Sequence, residues 1–379
     1  MAQRMKTDWV LFVTILMMVG FGLIMVYSAS SVMAELRYKD SAHFLLRQLF
    51  WAAVSFGVLM YFKGRDYRVL DNPVAAFLPL GLVLVLLMVV YVADAGTHRW
   101  FKISGIGSMQ PSEFAKPALI LFLAYFVSQK LSRINDRFVL WQAGLAVAVL
   151  AVTVAVPDFG TAVVLVITAA VVFYVAGIER RYFYFALGAG MLFGTLFIVS
   201  KPYRLARVVA YVDKDHKLLH RFDPSGRIET YLHEAATHDP TYQARQSKIA
   251  LGSGGLLGVG LMHGTQKLEY LPEAHTDYIY AVVGEELGLW GSSAVLAGFV
   301  IVLWRGVRLF WDAPDNFGRY LALGVTCAIV VQAFMNMSVV LDMGPVKGIP
   351  LPMISSGGSS LLSTLISLGL LLNVSEHAG

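Results

Sequence analysis

The sequence predicts an all-α polytopic membrane protein of about ten transmembrane helices, and three observations predict it. Of its 379 residues 57% are hydrophobic and only 15% charged, with a mean hydropathy of +0.64, far from the make-up of a soluble globular domain. Apolar windows long enough, or nearly so, to cross about 30 Å of hydrocarbon recur along the whole chain. Lys and Arg gather in alternate connections between those windows, the asymmetry that sets orientation in a membrane.

The windows fall at roughly 9–34, 44–62, 74–93, 114–128, 139–156, 161–177, 182–200, 277–304, 319–341 and 358–374. The first is too long for a signal-peptide core and lacks a small-residue cleavage site, so it reads as a retained helix. Only Pro-Asp-Phe-Gly, residues 157–160, separates the fifth from the sixth. The N-terminal tail carries Arg4 and Lys6. Later connections on the same side carry Lys63, Arg65 and Arg68, then Lys130, Arg133 and Arg137, then Arg180 and Arg181, then Arg305, Arg308 and Arg319. This bias places both termini in the cytoplasm. Residues 201–276 form one long connection before helix eight, beyond the length of about 60 residues within which the rule counts, and are expected outside. The chain thus reads as a single integral membrane domain, 1–379, with one extracellular loop.

Composition also excludes. A lone Cys327 leaves no intramolecular disulfide framework and no multi-cysteine metal site. The net charge of +5 comes without a basic patch interleaved with aromatics, so nucleic acid is not an expected partner and anionic lipid headgroups are. Four histidines, 216, 220, 233 and 238, sit in the charged first half of the long loop at spacings too irregular for a metal site, and Lys201 to Pro240 shows no fold of its own.

Acids are the informative residues in so apolar a chain. LPEAHTDYIYAVVGEELG, 271–288, passes without a linker from Glu273, His275 and Asp277 into an apolar run holding Glu285 and Glu286. On a continuous helix Asp277 would stand at the mouth and Glu285 about 12 Å deeper. Ionisable groups at such depth mark a site or a pathway, although Asp277 equally suits a helix N-terminus as a cap. Glu113 and Lys116 share a face at i and i+3, where a simple ion pair is the ordinary reading. Asp158 after Pro157 reads as a turn or cap. Arg99, Trp100 and Lys102 suit an interface. GPVKGIPLPMISSGGSS, 344–360, brings Lys347 to a loop expected to fold back over the bundle, and QSKIALGSGGLLGVGL reads as a segment lying in the interface or re-entering the protein. Its GSGG could cradle a phosphate; close helix packing explains the glycines equally well. Asp277, Glu113, Lys116, Asp158 and Lys347 all fall at helix ends on one side of the membrane.

WFKISGIGSMQPSEFAK, PDFGTA, QSKIALGSGGLLGVGL, LPEAHTDYIYAVVGEELG and KGIPLPMISSGGSS, in this order over about 100–374, resemble the SEDS family of shape, elongation, division and sporulation proteins, and its FtsW branch more than its RodA branch. The resemblance implies a peptidoglycan glycosyltransferase that polymerises lipid II on the outer face of the cytoplasmic (inner) membrane. The implied partners are a class B penicillin-binding protein and other divisome or elongasome membrane proteins. It puts the family's essential loop aspartate on Asp277, polar cavity residues on Glu113, Lys116 and Asp158, and the loop tryptophan on Trp100. Ser356 stands where the family more often has Tyr. The chemistry asks for a base at the acceptor hydroxyl, for which Asp277 at an ordinary pKa would be ionised at neutral pH. It also asks for positive charge at the leaving pyrophosphate, from Lys116, Lys347, Arg99 or a divalent cation, Mg²⁺ or Mn²⁺, that Asp277 itself could hold. A lipid II flippase drawing on Glu285 and Glu286, or a non-catalytic divisome scaffold, are the alternatives.

Overall fold

A computed structural model describes residues 7–94, 98–103, 107–200, 202–212, 240–268, 270–345 and 348–378. Its helices are α1 (Trp9–Tyr38), α2 (His43–Gly64), α3 (Pro73–Ala93), α4 (Pro111–Lys130), α5 (Arg137–Ala155), α6 (Phe159–Val175), α7 (Arg180–Val199), α8 (Pro202–Val212), α9 (Pro240–Gly254), α10 (Ile279–Asp312), α11 (Asn316–Val340) and α12 (Gly358–His377). A small antiparallel hairpin, β1 (Phe101–Ile103) with β2 (Gly107–Met109), precedes α4. Among the described residues nine helices are long and apolar enough to span a membrane. The short α6, with 17 residues, covers about 25 Å and completes the ten expected.

Capping marks where the spans begin. Asp8, Asn72, Asp136, Asp158 and Asp315 each accept a backbone N–H from the first turn of α1, α3, α5, α6 and α11, and Pro73 stands at the first position of α3. The spans α4, α11 and α12 are the most buried and form the centre of the bundle. The outer spans turn side chains such as Leu78, Val92 and Phe185 outward, as lipid-facing helices do. The two ends of the chain meet: the Thr7 hydroxyl donates to Glu376 at 2.9 Å, Lys63 pairs with Glu376 at 2.5 Å and Arg305 with Asp8 at 2.6 Å. Lys63 and Arg305, from connections the charge bias placed together, therefore share one end of the bundle with both termini.

Two expectations are corrected. Residues 202–212 of the long loop form a helix, α8, because Leu205, Val208, Val209 and Val212 repeat at helical spacing on one face; the four histidines lie outside the described residues. The eighth span is also not continuous. Gly288 adopts φ 64°, ψ −157° and breaks α10, a conformation close to glycine-only. In an unbroken helix the Glu285 carbonyl would accept from Leu289 N–H and the Glu286 carbonyl from Trp290 N–H. Here Val259 N–H and Gly260 N–H donate to those two carbonyls, both at 3.0 Å, while Leu289 N–H donates to Gly255 O at 3.0 Å and Trp290 N–H to Leu256 O at 3.4 Å.

The Gly-rich segment therefore enters the bundle as a splint across the break. Its glycines serve close approach: a Cβ on Gly258 would meet the Glu286 carbonyl, one on Gly254 the Gly284 carbonyl, and one on Gly288 the backbone of Gly258. The phosphate-cradle reading of GSGG does not hold, because Ser253 lies in the last turn of α9 with its hydroxyl donated to Ala250 O at 2.8 Å.

Gly288→Ala is expected to cost more than the roughly 1–3 kcal/mol of backbone strain alone, because its Cβ also strikes the splint. Gly252→Ala, in α9 with open space around it, is expected to be neutral or to gain up to about 1 kcal/mol. Thermal unfolding of the two variants in detergent checks the contrast.

Candidate active site at the mouth of α10

Where the splint returns toward α10, it meets the two deep acids. Glu285 accepts from Thr265 N–H at 2.8 Å, the Thr265 hydroxyl at 3.1 Å and Gln266 N–H at 3.1 Å. Glu286 accepts from the Ser28 hydroxyl of α1 at 2.6 Å and pairs with Lys267 at 2.5 Å. Both acids and Lys267 are buried. Every oxygen of this pair is thus engaged inside the protein, as a buried charge requires.

Asp277 is held differently. Three consecutive carbonyls in its stretch are fixed from outside it: His275 O accepts from Ser356 N–H at 3.0 Å, Thr276 O from the Ser355 hydroxyl at 2.5 Å and Asp277 O from the Asn336 amide at 2.7 Å. Asn336 donates equally to Ile349 O at 2.7 Å, which locks the 348–357 loop to the same point. That loop brings Gly348 so close that any side chain there would strike the Asp277 carboxylate. Among the described residues none donates a hydrogen bond to, or pairs with, the carboxylate itself. Two buried neighbours, the Tyr278 hydroxyl and Asn336 Oδ1, are also without a hydrogen-bond partner.

The half-buried carboxyl of Asp277 is pushed from its usual 3.8 up to about 7. Burial is the main cause, the Glu273 carboxylate the next; Asp158 adds to the push, and Arg99 and Arg207 oppose it. The expectation of an ordinary pKa is therefore corrected: burial disfavours the ionised form. Beside it, burial holds the His275 imidazole below its ordinary value, with Glu273 opposing and Arg37 assisting.

The other expected residues divide. Lys116 donates to Glu113 at 2.8 Å, the anticipated pair, but both are buried and Lys116 also reaches Gln332 of α11 at 2.5 Å. The Gln332 amide in turn donates to Pro350 O at 2.8 Å. The pair is thus joined to the loop that presses on Asp277. Asp158 is a cap, accepting from Gly160 N–H at 3.1 Å and Thr161 N–H at 3.2 Å, and an anchor for Gln110 at 2.9 Å. Arg99 comes within 3.5 Å of the Asp158 carboxylate, and Arg99 and Trp100 N–H groups donate to Asp94 at 3.1 and 3.3 Å. Lys347 lies outside the described residues. Sequence reading passed over Gln332 and Asn336, although two amides at i and i+4 inside the apolar run VVQAFMNM were a signal.

Broken span, splint and a pinned aspartate at the mouth define a polytopic membrane protein with a site at one end of the bundle. The cell cycle protein family of FtsW, RodA and SpoVE matches residues 8–379, and the chain belongs to that family. It is 37% identical to a probable peptidoglycan glycosyltransferase FtsW of Trichlorobacter lovleyi, over 97% of this chain and 93% of that one. It is 36% identical to stage V sporulation protein E of Bacillus subtilis, over 99% of both. Among solved structures, a chain from a peptidoglycan synthase complex that coordinates polymerization and crosslinking superposes with a TM-score of 0.73 at 25% identity, over 97% of each. The rod shape determining protein RodA of Thermus thermophilus shares the fold, with a TM-score of 0.66 at 23% identity over 97% of this chain and 96% of that one.

Asn336→Ala is expected to strand two buried carbonyls, those of Asp277 and Ile349, at about 1–3 kcal/mol each. A lower unfolding temperature together with weaker catalysis in the fraction that stays folded would match; an unaltered protein would contradict the role given to Asn336.

Proposed function

We propose that the protein is a peptidoglycan glycosyltransferase that polymerises lipid II at the outer face of the cytoplasmic membrane, with Asp277 as general base. The observation that carries the base assignment is the contrast at residue 277: backbone fixed, carboxylate open and poised near neutrality. A base works best when its pKa lies near the working pH. The 4-hydroxyl of the acceptor sugar loses its proton to Asp277 as its oxygen attacks the donor's anomeric carbon. The bond from that carbon to the diphosphate breaks with inversion, and the electron pair leaves with the diphosphate. Arg99, its Nε buried and without a hydrogen-bond partner, offsets the growing charge on the leaving group.

The sidedness follows from the basic connections that share an end with the termini, which leaves Asp277 at the opposite, outer end. A class B penicillin-binding protein is the expected partner, a reading supported by the similarity to a chain of a polymerising and crosslinking complex. The transport alternative drew on Glu285 and Glu286, whose oxygens are engaged internally. A divalent cation, Mg²⁺ or Mn²⁺, is part of the same proposal: Asp277, with its carboxylate open, would hold it beside the diphosphate, where it would offset the charge on the leaving group. Chelation tests whether polymerisation depends on such an ion.

With purified protein, its transpeptidase-inactive partner and labelled lipid II, Asp277→Asn is expected to lower polymerisation by about 10²–10⁴-fold without loss of folding. Because only the ionised carboxylate can take a proton, wild-type rate should rise with pH, half-maximal near the raised pKa of about 7, and fall about tenfold per unit below it. A folded Asp277→Asn protein that polymerises at the wild-type rate would remove the base assignment.

A further inference from the structure

We propose that Gln332 is a positioning residue for Asp277, the first relay in a file of hydrogen bonds that starts at the buried Lys116 ammonium and ends on the peptide group carrying Asp277. The inference rests on the glycosyl-transfer reading of Asp277 and adds to it what holds the base in place.

Lys116 is the fixed end. Its side chain is only 7% exposed, with Glu113 at 2.8 Å on one side and the Gln332 side-chain oxygen at 2.5 Å on the other. A cation so enclosed is engaged by the bundle and not by an incoming diphosphate. The Gln332 amide nitrogen donates to Pro350 O at 2.8 Å. From the other side of that same peptide, Leu351 N–H donates to the Ser355 hydroxyl at 2.8 Å, and the Ser355 hydroxyl donates to Thr276 O at 2.5 Å. Thr276 O belongs to the peptide whose N–H is that of Asp277.

Each link has one possible direction. An ammonium and a backbone N–H only donate, and a backbone carbonyl only accepts. Gln332 must therefore turn its oxygen to Lys116 and its nitrogen to Pro350, while Ser355 accepts from Leu351 and donates to Thr276. Side-chain amide, peptide and hydroxyl thus each accept on the Lys116 side and donate on the Asp277 side. Groups aligned head to tail in this way polarise one another and strengthen each bond.

Two features stiffen the file. Pro350 and Pro352 flank Leu351 and restrict its backbone. Asn336, one turn of α11 beyond Gln332, takes the adjacent carbonyl, Ile349 O, at 2.7 Å. A shift at Pro350 is therefore passed on to Thr276 and the carboxylate beside it. Lys116 serves the reaction from a distance, through the placement of Asp277, and not at the leaving group.

The test measures polymerisation of labelled lipid II by the full-length protein with its transpeptidase-inactive partner, as kcat and KM, with thermal unfolding alongside. Gln332→Met, which removes both links of the amide, should lower kcat by about 10- to 100-fold and leave KM within about twofold of wild type. Ser355→Ala, which cuts the file further on, should do the same, and Ser355→Thr, which keeps the hydroxyl, should recover most of the loss. Combined with Gln332→Met, Ser355→Ala should add little, because both cut one file; residues acting separately would multiply their effects.

If Gln332→Met does not fold, the joint change Glu113→Gln with Lys116→Met, which removes the buried pair without stranding one charge, takes its place in the cycle. A folded Gln332→Met protein with wild-type kcat would overturn the proposal. So would losses that multiply in the double variant, or a raised KM at unchanged kcat, the mark of direct contact with substrate. Wild type that polymerises while Gln332→Met behaves identically sinks only this inference; wild type that makes no polymer under any partner or cation condition sinks the glycosyl-transfer reading beneath it.

Discussion

A helix broken inside a membrane protein leaves backbone groups that must be paired, and the break at Gly288 dictates much of what surrounds it. Unpaired N–H and C=O groups away from water cost several kcal/mol each. The Gly255–Gly260 segment meets all four groups the break releases, at Glu285, Glu286, Leu289 and Trp290. To do so it must approach α10 backbone to backbone, which only small residues permit, hence Gly254, Gly258 and Gly288 at the contacts. Having entered, it must turn, and its return at 265–267 falls on the two acids. Glu285 then takes amide N–H groups, and Glu286 takes Lys267 and Ser28. The deep charges are best understood as parts of the splint's attachment.

The half of α10 before the break is therefore fixed at its inner end, and the 348–357 loop fixes it at the outer one. Asn336, Ser355 and Ser356 hold the carbonyls of Asp277 and of the two residues before it, and Gln332 carries the restraint across to Lys116 and α4. Catalytic groups gain from rigid support that leaves the reacting atoms unengaged. Here a chain of amides and hydroxyls supplies the support, and among the described residues no donor occupies the carboxylate oxygens.

How much of this could be read in advance varies with the kind of signal. The spans were legible because length and hydropathy are local properties; even α6 was found, although Pro157 and Gly160 blur its start. Asp277 was legible as an acid in the wrong company, and the Gly-rich segment as one that had to re-enter. The break was not, since the run from Tyr278 to Trp304 is otherwise apolar around Glu285 and Glu286 and Gly288 looks like any glycine in a membrane helix. It becomes visible only through its partner, Gly258, thirty positions away in the chain. Asp158 looked like a cap and is one, and Arg99 also comes within 3.5 Å of it; the cavity role implied by the resemblance is a separate matter that the cap does not decide. The raised pKa of Asp277 depends on burial and on Glu273, and burial is a tertiary property.

Acids near the midplane suit transport and acids at the mouth suit catalysis on an outside substrate. Saturation is the sharper criterion. A carboxylate that carries a proton or cargo across must be able to exchange partners, yet Glu285 and Glu286 are bound to three donors and to a lysine and a serine, in a pocket closed by Gly264, whose Cβ would already collide with the Glu285 carboxylate. Glu113 has Lys116, and Asp158 has its own helix. Asp277 alone among these acids has its backbone pinned and, among the described residues, no donor on its carboxylate. Because an unsolvated, unpaired carboxylate is costly, the bundle must hold it in place against the tendency to find a partner. A substrate hydroxyl would supply the missing partner, and this contrast with the deep acids is what favours Asp277 as the proposed base.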